Sequence, residues 1–136
     1  MNYLLDTCVI SELRAKKPNR QVIEWLDTID DAHLFLSVLT IGEIQRGIAK
    51  LPDSSRRKAL EVWLQEDLFV RFQDRILPLT VETMLVWGNL IAQSRTLPAM
   101  DSMIAALALH HDLCLVTRNV RDFNDTNVKI LNPWVS

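Results

Sequence analysis

Five short runs of apolar residues do not alternate with polar ones: Tyr3–Leu5, Leu34–Val38, Ile76–Leu79, Leu113–Thr117 and Val128–Leu131. A strand with one wet face alternates, whereas a strand buried on both faces does not. These runs therefore predict a parallel sheet with helices on both faces, since parallel neighbours need long crossovers between them. The intervening segments supply such crossovers. Arg20–Ile29 carries Val22, Ile23, Trp25 and Leu26, and Thr40–Leu51 carries Ile41, Ile44 and Ile48. Ser54–Phe72 holds Leu60, Trp63, Leu64 and Leu68 in a 3.6-residue stripe, and Val81–Ser94 repeats it with Met84, Leu85, Gly88 and Ile91. Ala99–His111 is apolar nearly all round, as a helix in the middle of a domain should be. Pro18, Pro52, Pro78, Pro98 and Pro133 fall at or near these boundaries, where proline is tolerated.

No repeat, low-complexity tract or Gly/Ser linker divides the 136 residues, so one α/β domain over 1–136 is expected. Only the short strand Ile76–Leu79 separates the helices in the middle, roughly 54–95. That spacing suits a protruding helical hairpin, with Trp63 and Trp87 read as core packing ahead of a partner surface. The opening MNYLLDTCVI lacks a basic leader and is interrupted by Asp6, unlike a secretion signal. The longest unbroken apolar stretch, Met103–Leu109, is far short of the roughly 20 residues a membrane span needs. Cys8 and Cys114 sit in apolar segments and read as buried small residues of a reducing compartment. His33, His110 and His111 form no zinc-ligand spacing with them. A cytoplasmic protein without membrane association is expected.

The formal net charge of −2 rules out a uniformly basic nucleic-acid-coating protein, yet the charges are segregated. Residues 13–23 hold Arg14, Lys16, Lys17 and Arg20 and no acid; residues 44–60 hold five bases against Asp53 alone. The acids in the remainder fall at telling places. Asp6 follows the first strand, Glu43 lies in the first turn after the second, Asp101 opens the apolar helix, and Asp122 follows the fourth strand. In an open parallel sheet, the loops after the strands and the N-termini of helices share one edge, where ligands bind. Each acid also has a local explanation. Thr40 and Glu43 fit a capping box, Asp101 and Asp122 fit N-caps, and Asp6 fits a turn. Four carboxylates at one edge, however, repel one another and raise their own pKa values. Mg²⁺ or Mn²⁺, which prefer hard oxygen ligands, would compensate them. Metal-assisted phosphodiester hydrolysis is the implied chemistry.

LLDTCVISEL, TIGEIQRGI, LPAMDSMIAALAL and LVTRNVRDF occur in order along the chain. Together they resemble the four motifs of PIN-domain ribonucleases, most closely the VapC/FitB-type toxins of bacterial toxin–antitoxin modules. The resemblance implies a Mg²⁺- or Mn²⁺-dependent endoribonuclease with Asp6, Glu43, Asp101 and Asp122 as catalytic metal ligands. It implies a cognate antitoxin whose C-terminal segment lies along the toxin and sends a basic side chain among the carboxylates. It also implies a homodimer or larger toxin–antitoxin assembly, and a structured RNA target such as tRNA or an rRNA loop. Some family members carry the fourth carboxylate where this chain has Asn119, so Asp122 and Asn119 both stand as the residue that completes the site. Thr7 and Thr117 are candidates for hydroxyls that orient the acids, with ordinary turn hydrogen bonding as the alternative. Glu12 belongs to the first motif and also suits a solvated helix acid.

Arg118 and Arg121 flank the last motif and are candidates for RNA contact, as is Arg46, which shares a helix face with Lys50 at i+4. A solvated charged face is the plain alternative for the Arg46 side. No histidine falls in the motifs, which disfavours histidine acid–base cleavage through the RNA 2′-OH. Three rivals remain. A phosphoacceptor domain needs a late-strand lysine, but Lys129 stands at a strand start; a haloacid-type phosphatase needs an Asp where Cys8 stands. The third is a catalytically silent PIN-fold module that only binds its partner.

Overall fold

The backbone pleat sorts the strand residues onto two faces. Leu5, Leu34, Leu36 and Val116 point into one apolar core, while Leu4 and Leu115 point into another, with Phe35 packed against it. A sheet with two such cores must be covered on both sides, and the computed structural model has that arrangement. It describes residues 1–93 and 97–135. The elements run β1 (Tyr3–Leu5), α1 (Thr7–Arg14), α2 (Arg20–Asp27), β2 (Leu34–Ser37), α3 (Val38–Ala49) and α4 (Ser55–Val62). Helix α4 continues through a π-helical turn, Trp63–Leu68, into α5 (Phe69–Arg71). Then follow β3 (Ile76–Leu77), α6 (Val81–Gln93), α7 (Ala99–His110), β4 (Cys114–Val116) and β5 (Ile130–Leu131).

All strand pairs are parallel, in the order β3-β2-β1-β4-β5. Tyr3 pairs with both Leu34 and Cys114, so β1 is central and the chain winds outward from it in both directions. The five expected strands all form, β1 over the expected residues and the other four shortened by one or two residues. Pro78, which has no N–H to give a ladder, follows directly on β3.

Three expectations need correction. First, α1 was not foreseen: Asp6 is its N-cap, accepting from the Thr7 N–H at 2.8 Å, and no linker separates it from β1. Second, α3 starts at Val38 rather than Thr40, because Ser37 caps it by accepting from the Thr40 N–H at 3.1 Å. The capping box at Thr40 and Glu43 therefore does not exist; Thr40 is inside the helix. Third, the middle helices form no hairpin. Leu64 and Leu68 pack into the core with Leu5, whereas Leu90 of α6 packs into the core with Leu4. β3 carries the chain from one face of the sheet to the other, so α6 lies against α7. Ser94, the expected end of α6, lies outside the described residues.

Trp63 and Trp87 are both half-buried. Trp63 joins the α1 side, and the Trp87 indole N–H donates to Ser102 Oγ on α7 at 2.8 Å. Among the described residues, no helix is long and apolar enough to cross a membrane.

Candidate active site

Because every strand is parallel, the residues after β1, β2 and β4 emerge at one edge. β1 delivers Asp6, which is buried at 6% exposure. A buried carboxylate needs hydrogen-bond donors, and this one has two: the Thr7 N–H at 2.8 Å on Oδ1 and the Thr117 hydroxyl at 2.8 Å on Oδ2. Thr117 follows β4 and is fully buried, and its Oγ1 also accepts from the Asn119 N–H at 3.1 Å. The β1–β4 junction is thereby stitched at the point where the sheet's winding reverses, the usual ligand position of such sheets.

α3 projects Glu43, whose Oε1 accepts the Thr7 hydroxyl at 2.6 Å. The same hydroxyl stands 3.2 Å from Thr40 Oγ1, and Ser37 Oγ lies 3.4 Å from Thr40 on its far side. Thr7 thus touches Asp6 with its backbone and Glu43 with its side chain. The hydroxyls of Thr7 and Thr117 each donate to a carboxylate of this edge, and Thr117 Oγ1 also closes a local turn. In the sequence Thr40 reads as an N-cap and Ser37 only as part of a strand run. Nothing in their types announced a hydroxyl relay, which exists because α1 and α3 pack side by side.

Asp101 lies in the first turn of α7, behind Pro98 as N-cap, so it is not the capping residue. Burial, then the charges of Asp122, Asp6 and Glu43, push its carboxyl above the ordinary Asp range. Asp101 is thus near enough to feel the other three acids, which the strand order brings toward the same edge. Asp122 lies in a 3-10 turn, Val120–Phe123, and is exposed; Asn119 precedes that turn and makes no side-chain cap. Among the described residues, no three acidic, histidine or cysteine side chains already stand as a closed metal-ligand set. The donors are nonetheless all carboxylate oxygens, hard ligands of the kind Mg²⁺ and Mn²⁺ select, and like-charge crowding at Asp101 is what a divalent cation relieves. The residues fit such an ion.

Cys8 borders this edge, with Sγ 3.7 Å from Thr117 Oγ1. Burial pushes its thiol above the ordinary cysteine value, which leaves it protonated and a poor nucleophile. Cys114 is buried, and neither cysteine is in a disulfide.

Arg118, Asn119, Val120, Arg121, Asp122 and Asn132 line a cavity of about 390 Å³ beside the acids. Arg118 and Arg121 are exposed, and among the described residues neither has a carboxylate within ion-pair distance. Arg46 is exposed one turn beyond Glu43 on α3 and does not line that cavity. A second cavity of about 390 Å³ runs from Thr7 and Glu43 between α1, α3 and α4. Ile10, Ile44 and Leu60 give it an apolar floor, and Arg14 and Arg56 border its far end. This groove went unnoticed in the sequence because α1, one of its walls, did.

The PIN domain model matches residues 3–129 of this chain. Toxin FitB of Neisseria gonorrhoeae is 33% identical over 135 residues, covering 96% of this chain and 97% of its own. VapC ribonuclease Y4jK of Sinorhizobium fredii is 33% identical over 135 residues, covering 96% of each. The crystal structure of FitAcB from Neisseria gonorrhoeae matches with a TM-score of 0.94 at 32% identity, over 98% of this chain and 99% of that one. The chain belongs to the PIN domain family. Within it, these relatives make it a VapC/FitB-type toxin of toxin–antitoxin systems.

Proposed function

We propose that residues 1–136 act as one endoribonuclease unit of a toxin–antitoxin module, hydrolysing RNA phosphodiester bonds with Mg²⁺ or Mn²⁺ held by Asp6, Glu43, Asp101 and Asp122. The observation that carries this reading is the meeting of Asp6 and Glu43 at Thr7, with an Asp101 carboxyl raised by burial and by the charges of Asp122, Asp6 and Glu43. A divalent cation at this edge would supply charge for the scissile phosphate and a more acidic water for attack. Asp6 and Glu43 arrive preset by the Thr7 and Thr117 hydroxyls, which fix the orientation of each carboxylate. Asp101 would add its carboxylate from the opposite side. Asp122, or Asn119 beside it, would complete the cluster or position the attacking water.

Arg118 and Arg121 would hold the RNA backbone, since their charges are unpaired by acids among the described residues. Arg46 extends that contact along α3. A tRNA or an rRNA loop is the proposed substrate, on the family resemblance. The cognate antitoxin would occupy the groove between α1, α3 and α4. A basic side chain there can approach Glu43, and an acidic group can meet Arg14 and Arg56. Val81 and Leu85 of α6 are 74% and 66% exposed, an apolar face suited to a second copy of the chain.

The deciding experiment incubates purified protein with RNA and Mg²⁺ or Mn²⁺, maps the new RNA ends, and compares Asp6→Asn. Cleavage untouched by chelator would defeat the metal mechanism. A silent binding module is the second reading, motivated by the open ligand set. A protein that neither binds Mn²⁺ at the acidic edge nor cuts RNA would establish that reading instead.

A further inference from the structure

Trp134, near the end of the chain, lies outside all four motifs yet reaches the active edge. The Arg118 guanidinium carbon stands 4.7 Å from the centre of its indole ring. The indole N–H is buried and has no hydrogen-bond partner among the described residues, so a polar contact of the indole does not hold the ring. Packing against the Leu5 and Val116 side of the core does, helped by the Trp134 backbone N–H donating to Asn132 Oδ1 at 2.9 Å. Asn132 also lines the cavity that Arg118, Arg121 and Asp122 share. The backbone beneath Arg118 is pinned too: Thr117 N–H donates to the Leu131 carbonyl at 3.1 Å, and Asn119 N–H donates to Thr117 Oγ1. A rigid ring and a pinned backbone therefore fix both ends of an otherwise flexible side chain.

We propose that Trp134 is a positioning residue for RNA. Its indole face holds the Arg118 guanidinium at the rim of this cavity, where Arg118 takes the backbone phosphate next to the one being cut. A guanidinium held over an indole face keeps N–H groups free for a phosphate, and it gives up little rotamer freedom when the phosphate arrives. The cavity, at about 390 Å³, has room for a nucleotide-sized group. The inference rests on the ribonuclease reading of the adjoining carboxylates.

The test measures binding of a short labelled single-stranded RNA of mixed sequence to protein carrying Asp6→Asn, which prevents cutting. Arg118→Ala should weaken binding and flatten its salt dependence by about 0.7 in log–log slope, the loss of one single-strand phosphate contact. Trp134→Leu should weaken binding by about three- to tenfold with the same change in slope, and Trp134→Phe, which keeps an aromatic face, should restore most of it. The double variant should bind no worse than Arg118→Ala alone, because the ring acts only through the arginine. With the catalytic aspartate intact, Trp134→Leu should raise KM and leave kcat unchanged. Arg118→Lys gives an independent reading if Trp134→Leu unfolds: it keeps the charge but loses the planar guanidinium over the ring, and it should bind as poorly as Trp134→Leu. Wild-type affinity and slope in Trp134→Leu or Arg118→Lys, while Arg118→Ala loses both, would overturn the proposal. Additive losses in the double variant would do the same. RNA that is bound with these ratios yet never cut would instead sink the ribonuclease reading and leave the role of Trp134 standing.

Discussion

The two halves of the acidic edge are built differently. On one side, Asp6 and Glu43 are tied into a web of threonine hydroxyls: Thr117 and the Thr7 backbone hold Asp6, and the Thr7 side chain holds Glu43. On the other, no hydrogen bond to the carboxylate of Asp101 or Asp122 is found among the described residues, and the Asp101 carboxyl is raised by burial and by its neighbours' charge. One half is preorganised by the fold. The other combines burial with like-charge repulsion, which a divalent cation bound as proposed would relieve. Under the proposed function, the first half would be the preset flank of the ion and the second its electrostatic trap.

The sharpest way to break that comparison is Asp6→Asn. The amide can still accept from the Thr7 N–H and donate to Thr117 Oγ1, so the fold should persist while the charge is lost. RNA cleavage should fall by about 10³-fold or more, with the circular dichroism spectrum retained. A drop below tenfold would mean that the platform half does not hold the ion.

Thr7→Val tests the web itself. It keeps the β-branched shape and the backbone bond to Asp6 but removes the hydroxyl on Glu43. Cleavage should fall by about 10- to 100-fold, and Thr7→Ser should recover most of it. Equal losses in both variants would make Thr7 a packing residue only.

Gly47 borders the groove that starts at this preorganised half, and a Cβ added there meets nothing within 4 Å. Gly47→Leu should therefore leave the fold intact while filling the groove. Antitoxin affinity, measured by calorimetry, should drop by about tenfold, with RNA cleavage by the free toxin little changed. Unaltered affinity would move the antitoxin elsewhere.

The smallest effect is on stability and concerns the repelling half. A carboxyl whose folded pKa is raised favours the fold while it is neutral, and that contribution is lost as pH rises through the raised value. Once ionised, Asp101 therefore weighs against folding in the metal-free protein. Asp101→Asn should raise the Tm by about 1–3 °C at neutral pH, and the difference from wild type should vanish as the pH falls through the ordinary Asp range. Mn²⁺ should stabilise wild type and not this variant. A lower Tm in Asp101→Asn at neutral pH would show that the two halves do not differ in this way.

Much of this was legible beforehand. The non-alternating runs marked every strand because a strand buried on both faces has no polar positions to spare. The acids were legible because a parallel sheet collects the ends of its strands. Helix α1 escaped because Asp6 serves at once as the end of β1 and the N-cap of α1, leaving no turn signal between them. The helical hairpin was expected because sequence proximity suggested contact; Leu64 and Leu90 instead enter opposite cores. Trp134 and Arg118 are apolar and basic residues with no shared pattern, and only the route of the chain after β5 brings them together.

What the sequence determined by itself was local: periodicity that selects strand or helix, prolines that stop them, and carboxylates at strand ends and helix starts. Those choices depend on neighbours a few residues away. The tertiary structure decided which hydroxyl meets which acid. Thr117 reaches Asp6 across 111 residues and Thr7 reaches Glu43 across 36, pairings that exist only once β4 lies beside β1 and α3 beside α1. A carboxylate's position along the chain says it will be at the edge. Its partner, and hence whether it is preset or strained, depends on how distant elements pack, and no local pattern encodes that.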